Sequence, residues 1–180
     1  AIISAEVEGR AKEVLVDLGD RVASGQIMVR IDDEEQKYLL AQNEAQLRQS
    51  LQRLGLKSEK DRVRDLRETP EVRRAQADLT DAEQRLGRIR RLVDEGVGSR
   101  QDLDQADARY KALQAAYDST VIQTRNLIQE VERSKAVVEL QRKKLRDTTV
   151  RAPYAATVKE RLVTAGQYVR PNTPLLTLVK

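Results

Sequence analysis

Hydrophobic positions change their period twice along this chain. Towards both ends, apolar residues alternate with polar ones in short β-branched runs punctuated by Gly and Pro, the pattern of half-buried strands. Between these ends the period lengthens to steps of three and four. From Leu103 one stripe runs through Ala106, Tyr110, Leu113, Tyr117, Thr120, Thr124, Leu127, Val131, Ser134, Val138, Gln141 and Leu145, with no charge on it and no Gly or Pro between Ser99 and Arg146. That is coiled-coil spacing. A second stripe, Val72, Ala75, Leu79, Ala82, Leu86, Ile89 and Val93, is apolar throughout, and a weaker one, Leu40, Leu47, Leu51 and Leu54, is interrupted by Glu44.

Gly55 stands where a helix ends, and Thr69-Pro70 read as an N-cap and first helical position. Helices over 34–54 and 70–95 together match the length of one over 99–146, which makes Leu56 to Glu68 a lateral excursion from a two-armed rod. At ~1.5 Å per residue the hairpin projects about 70 Å from the strands that flank it. Its turn reads Asp94-Glu95-Gly96-Val97-Gly98-Ser99-Arg100-Gln101-Asp102, with Gly96 closing one helix, Ser99 capping the next, and Asp102 as capping-box partner.

The two ends of the chain are copies of one unit. Lys12 and Lys159, Glu13 and Glu160, Leu15 and Leu162, Val16 and Val163, Gly19 and Gly166, and Val22 and Val169 coincide at a constant offset of 147 residues, without a gap. Each copy predicts about four short strands and is too small to bury a core alone, so the two must face each other in a small two-sheet sandwich.

The turn Gly19-Asp20-Arg21-Val22 and the following Gly25-Gln26 resemble those of the biotinyl/lipoyl carrier domain, over roughly 60 residues of the chain. In that family the halves join through a tight hairpin presenting a modified Lys. Here the junction is Ile31-Asp32-Asp33-Glu34-Glu35, with no Lys in the required context, which argues against covalent carrier function. The expected fold is α+β: a long antiparallel coiled-coil hairpin (34–147, excursion about 55–69, tip about 94–99) inserted between two halves (1–33 and 148–180) of a lipoyl-like all-β sandwich.

Composition narrows the chemistry. With no Cys and no His, thiolate and imidazole catalysis, disulfides and the usual zinc sites are excluded, and no catalytic, cofactor or metal residues are expected. The 33 basic residues are interspersed with 29 acidic ones, and the helices' basic clusters are no larger than Arg90-Arg91 and Lys143-Lys144, with 3% aromatics. No nucleic-acid surface is expected from that pattern. No run of apolar residues is long enough for a membrane span and no signal peptide is legible, so the chain reads as an excised piece whose targeting segment and further domains lie elsewhere.

A lipoyl-like domain split by a long helical hairpin resembles the periplasmic adaptor, or membrane fusion protein, family. In members serving TolC-like channels the tip carries an Arg, a Leu four residues on, and a Ser seven further. Arg88, Leu92 and Ser99 have that spacing here. The resemblance implies a non-enzymatic subunit of a tripartite efflux system, in the periplasm and anchored to the inner membrane. Its tip meets an outer-membrane channel, its lipoyl modules associate into a ring, and it meets an RND- or ABC-type transporter through parts absent here. Alternatives are an adaptor of type I protein secretion and a biotin or lipoate carrier subunit.

Overall fold

A computed structural model describes residues 1–180. In chain order the elements are β1 (Ile2–Ser4), β2 (Gly9–Val14), β3 (Arg21–Val22), β4 (Ile27–Ile31), α1 (Glu34–Arg53), a 3-10 turn (Leu66–Glu68), α2 (Pro70–Asp94), α3 (Arg100–Asp147), β5 (Thr149–Arg151), β6 (Ala156–Arg161), β7 (Tyr168–Val169) and β8 (Pro174–Val179). They fall into two compact units, Ala1–Glu44 with Ala136–Lys180, and Ala45–Lys135.

The first unit holds two four-stranded sheets, ordered β1-β8-β6-β3 and β5-β4-β2-β7. The halves of the repeat do not form one sheet each. Every sheet takes two strands from each half, so they interleave. The offset of 147 residues carries β1 onto β5, β2 onto β6, β3 onto β7 and β4 onto the start of β8, and exchanges the sheets. Hydrogen bonds repeat with it. Gly19 N–H donates to Val158 O at 2.8 Å and Gly166 N–H to Ala11 O at 2.7 Å, while Ala5 N–H donates to Thr173 O and Ala152 N–H to Gln26 O, both at 2.9 Å. The core is filled by symmetric pairs: Ala11 and Val158, Val16 and Val163, Val22 and Val169, Met28 and Leu175, Val29 and Leu176, Ile31 and Leu178, all buried. Burying these apolar side chains is what stabilises the sandwich, and neither half contributes a core by itself.

The symmetry brings together the points where the chain leaves the sandwich and returns. Ile31 N–H donates to Thr148 O at 2.8 Å. Between them α1 starts with Asp32 accepting from Glu34 N–H at 3.1 Å, and with Asp33 paired to Lys37 at 2.9 Å. The hydrogen bond from Lys37 holds the Asp33 carboxyl below the usual carboxylate range, and acidic Glu34 and Glu35 suit a helix N-terminus. Near this root, Gln36 and Gln141 are buried, and Gln141 Nε2 donates to Gln36 Oε1 at 2.6 Å and to Gln36 O at 3.2 Å. Glu44, which breaks the α1 stripe, is half-buried and paired with Arg142 at 3.1 Å.

In the second unit the stripes lie inward: Leu47, Leu51, Leu54, Val72, Ala82, Leu86, Ala106, Thr124, Leu127 and Val131 are buried. Within this unit the last turns of α1 and the 25 residues of α2 make one arm, interrupted between them, and α2 shares two grooves with α3. Gly55 ends α1 at φ +73°, a left-handed conformation that favours Gly, with Gly55 N–H donating to Gln52 O and Leu56 N–H to Leu51 O. A Cβ on Gly55 would stand 3.1 Å from Pro70 Cδ, so the ends of the excursion meet at its base. Thr69 occupies the N-cap position of α2, but its hydroxyl turns back and donates to Leu66 O at 2.6 Å rather than capping α2. No helix is long and apolar enough to cross a membrane.

Candidate functional site

The turn between α2 and α3 is built from backbone hydrogen bonds on both sides. Gly96, at φ +77°, donates to Val93 O at 3.0 Å, and Val97 N–H donates to Leu92 O at 2.9 Å, the paired bonds that satisfy carbonyls at a helix end. Gly98 N–H also donates to Leu92 O at 2.9 Å. A Cβ on Gly98 would lie 2.9 Å from both Val93 N and Val93 Cγ2, so only Gly fits against the end of α2. On the other side Ser99 Oγ accepts from Gln101 N–H at 3.1 Å and from Asp102 N–H at 3.3 Å. Ser99 therefore caps α3, and its own carbonyl accepts from Leu103 N–H at 3.2 Å. Asp102 does not return the bond to the Ser99 backbone, so the cap is one-sided.

This tightly bonded turn holds apolar side chains in solvent. Val97 is 77% exposed at the apex and Leu92 45% exposed on the last turn of α2. Leu92 escapes the seam because it precedes the stripe residue Val93. Arg88 is exposed without an ion-pair partner, four residues before Leu92 and so on the same helix face. Leu92 and Ser99 both line a groove of about 520 Å³ between the arms, along with Ile89, Gly98, Asp102 and Ala106, and with Arg85 and Arg109 further along it. The structure brings Leu92 and Ser99 to one groove and leaves Arg88 beside it.

Gly98, Arg85, Gln105 and Arg109 are members that the sequence pattern passed over. The arginines flank stripe positions, where coiled-coil spacing would have placed a groove rim, whereas the close approach of Gly98 carries no sequence signal. Chemically the groove offers a small apolar floor, exposed guanidinium donors, and the Asp102 carboxylate. That suits a partner helix end presenting an apolar side chain beside carbonyls or carboxylates.

Residues 1–180 match the family model described as CzcB-like, barrel-sandwich hybrid domain. Among curated relatives, multidrug resistance protein MdtN of Shigella flexneri is 26% identical over 190 aligned positions, covering 97% of this chain and 54% of its own length. A UPF0194 membrane protein of Acidithiobacillus ferridurans is 28% identical over 188 positions, covering 94% of this chain and 54% of its own. The chain thus spans about half the length of these relatives. Among solved structures, MacA from Actinobacillus actinomycetemcomitans superposes with a TM-score of 0.57 at 20% identity, over 99% of this chain and 48% of that one, a likeness of fold.

Proposed function

Since the chain belongs to the CzcB-like barrel-sandwich hybrid domain family, we propose that it is the sandwich-and-hairpin part of a membrane fusion protein, a periplasmic adaptor in a tripartite efflux system. In this reading the hairpin tip docks on a TolC-like outer-membrane channel, with Leu92 as apolar anchor, Arg88 as donor to partner carbonyls or carboxylates, and Ser99 holding the turn. The sandwich modules associate into a ring around the conduit. The inner-membrane transporter and the membrane anchor are met through parts of the protein outside residues 1–180. The protein works by geometry and catalyses nothing.

The observation that carries this reading is the tip itself: a turn fixed by capping on both sides that nonetheless keeps Leu92 and Val97 exposed. Rigid presentation of apolar surface is the economical way to bind, because little is lost in ordering it. Each contact is small, and several adaptors in one ring add their contacts multivalently.

Single cysteines test the docking end, because the chain has none of its own. Val97→Cys in the intact protein, co-expressed with a TolC-like channel, is expected to crosslink to it, whereas Leu56→Cys is not. Replacing Arg88, Leu92 and Ser99 together by Ala is expected to reduce channel crosslinking at least tenfold. Crosslinking undiminished by the triple substitution sinks the assignment of these residues, and crosslinking at neither cysteine sinks the channel as partner.

A further inference from the structure

The excursion interrupts one arm without disturbing it. Gly55 and Pro70 touch across its base, and the inward positions continue from Leu51 and Leu54 to Val72 on the far side. The rod has no need of the intervening residues, yet they are firmly built. Asp61 accepts from Lys57 N–H at 3.1 Å and Ser58 N–H at 3.0 Å, Asp65 caps the 3-10 turn through Arg67 N–H at 2.9 Å, and the Asp65 carboxylate pairs with the Arg67 guanidinium at 3.0 Å. The loop's aspartates are thus committed to its own backbone and to Arg67. Lys57, Lys60, Arg62 and Arg64 are exposed and form no ion pair, and they outnumber the loop's two glutamates, half-buried Glu59 and exposed Glu68, so the balance of charge it shows outward is positive. A preformed surface of this kind is able to bind without first ordering.

The same unit carries a groove beside the loop's base. It begins at Glu71, which follows Pro70 directly, and holds about 460 Å³ between α2 and α3. Its floor is small, with Ala75, Ala116 and Thr120, so side chains from outside are able to enter. Glu71 has only the loose contact of Arg53 at 3.9 Å, Arg74 is the one cation that lines the groove itself, and Asp78 on the rim has no ion-pair partner, so the rim offers carboxylates to an incoming cation.

We propose that the excursion of one copy inserts into this groove of the next, with Arg62 and Arg64 meeting Glu71 and Asp78. The inference rests on the ring reading above. Copies related by rotation about a shared axis keep the same height along it, and loop and groove adjoin the same pair of residues, Pro70 and Glu71. A loop at that height meets its neighbour's groove. Because the two surfaces differ, the contact is heterologous and repeats around a ring. Opposite charge selects the partner surface and steers its approach.

The test is a pair of cysteines, Lys60→Cys with Ala116→Cys, in the intact protein with any cysteine outside residues 1–180 replaced by Ser, treated with a short bismaleimide, while native mass spectrometry reports the oligomer. The expected result is a ladder of dimers and higher species from the pair and none from either single cysteine. Adding Arg62→Glu and Arg64→Glu should reduce that ladder about fivefold or more, and Glu71→Arg with Asp78→Arg should restore it. Circular dichroism of each variant checks that the hairpin is still helical, as expected since none of these side chains makes the loop's internal bonds. A ring-sized oligomer without a ladder overturns the inference and leaves the ring standing; absence of any oligomer overturns both. A ladder indifferent to the charge swaps overturns the assignment of Arg62 and Arg64.

Discussion

Gly98 shows how one atom sets the tolerance of the tip. With Val93 N and Val93 Cγ2 each 2.9 Å from where a Cβ would be, Gly98→Ala forces the end of α2 or the turn to move. Overpacking of this kind costs about 1–3 kcal/mol. The expected outcome is a lowered urea midpoint, together with weaker channel crosslinking from Val97→Cys; an unchanged midpoint would mean the turn relaxes freely. The sequence declared Ser99 but not Gly98. Capping is local chemistry, a hydroxyl within reach of the N–H groups two and three residues on, so it is legible from residue type and spacing. Close approach depends on where the neighbouring helix stops, and no residue type announces it. Thr69 marks the limit of the local rule from the other side. Its position was readable, yet its hydroxyl serves Leu66 O because the preceding 3-10 turn supplies a nearer acceptor.

Among elements, the helices were written in the period of the chain, since a stripe without charges over the length of α3 admits few other structures. The weak stripe of α1 was harder to read because its completion lies elsewhere in the sequence. Glu44 is tolerated there by Arg142, and the inward position of Gln36 is satisfied by Gln141, a partner 105 residues away. Such a buried amide pair makes a testable register mark. Gln141→Leu leaves the Gln36 amide buried without its partner and is expected to cost about 1–3 kcal/mol, whereas Gln36→Leu with Gln141→Leu together should recover most of that loss. Chemical unfolding of the three variants measures it. A double variant no more stable than the single one would show that the pair does not act as a unit. The interleaving of strands was likewise out of reach of pattern alone: the offset of 147 residues revealed two equal halves, but whether each makes a sheet or each sheet is shared is decided by pairing, not by alternation.

For the whole molecule, the sharing of sheets fixes what can stand alone. Residues 1–33 or 148–180 separately keep one strand pairing each, β2 with β4 or β6 with β8, but neither a complete sheet nor a core to bury, and are expected to show no stable β signal in circular dichroism. Joined by a four-residue turn in place of 34–147, they should fold and unfold cooperatively, because Ile31 N–H and Thr148 O are already 2.8 Å apart. A joined chain that stays unfolded would mean that the helices hold the sandwich together. The same arrangement has a consequence in time. Within the first half only β2 and β4 pair with each other; β1, β3 and the outer edges of β2 and β4 meet their partners only when the last few dozen residues have been made, and at ~5–20 residues per second the intervening stretch takes on the order of ten seconds to synthesise. A flexible chain of that length would also have to search for its far end, whereas a helical hairpin zips locally and delivers the two ends side by side. The rod is then the folding guide of the sandwich, and the newly made first half waits with bare strand edges until the guide is complete.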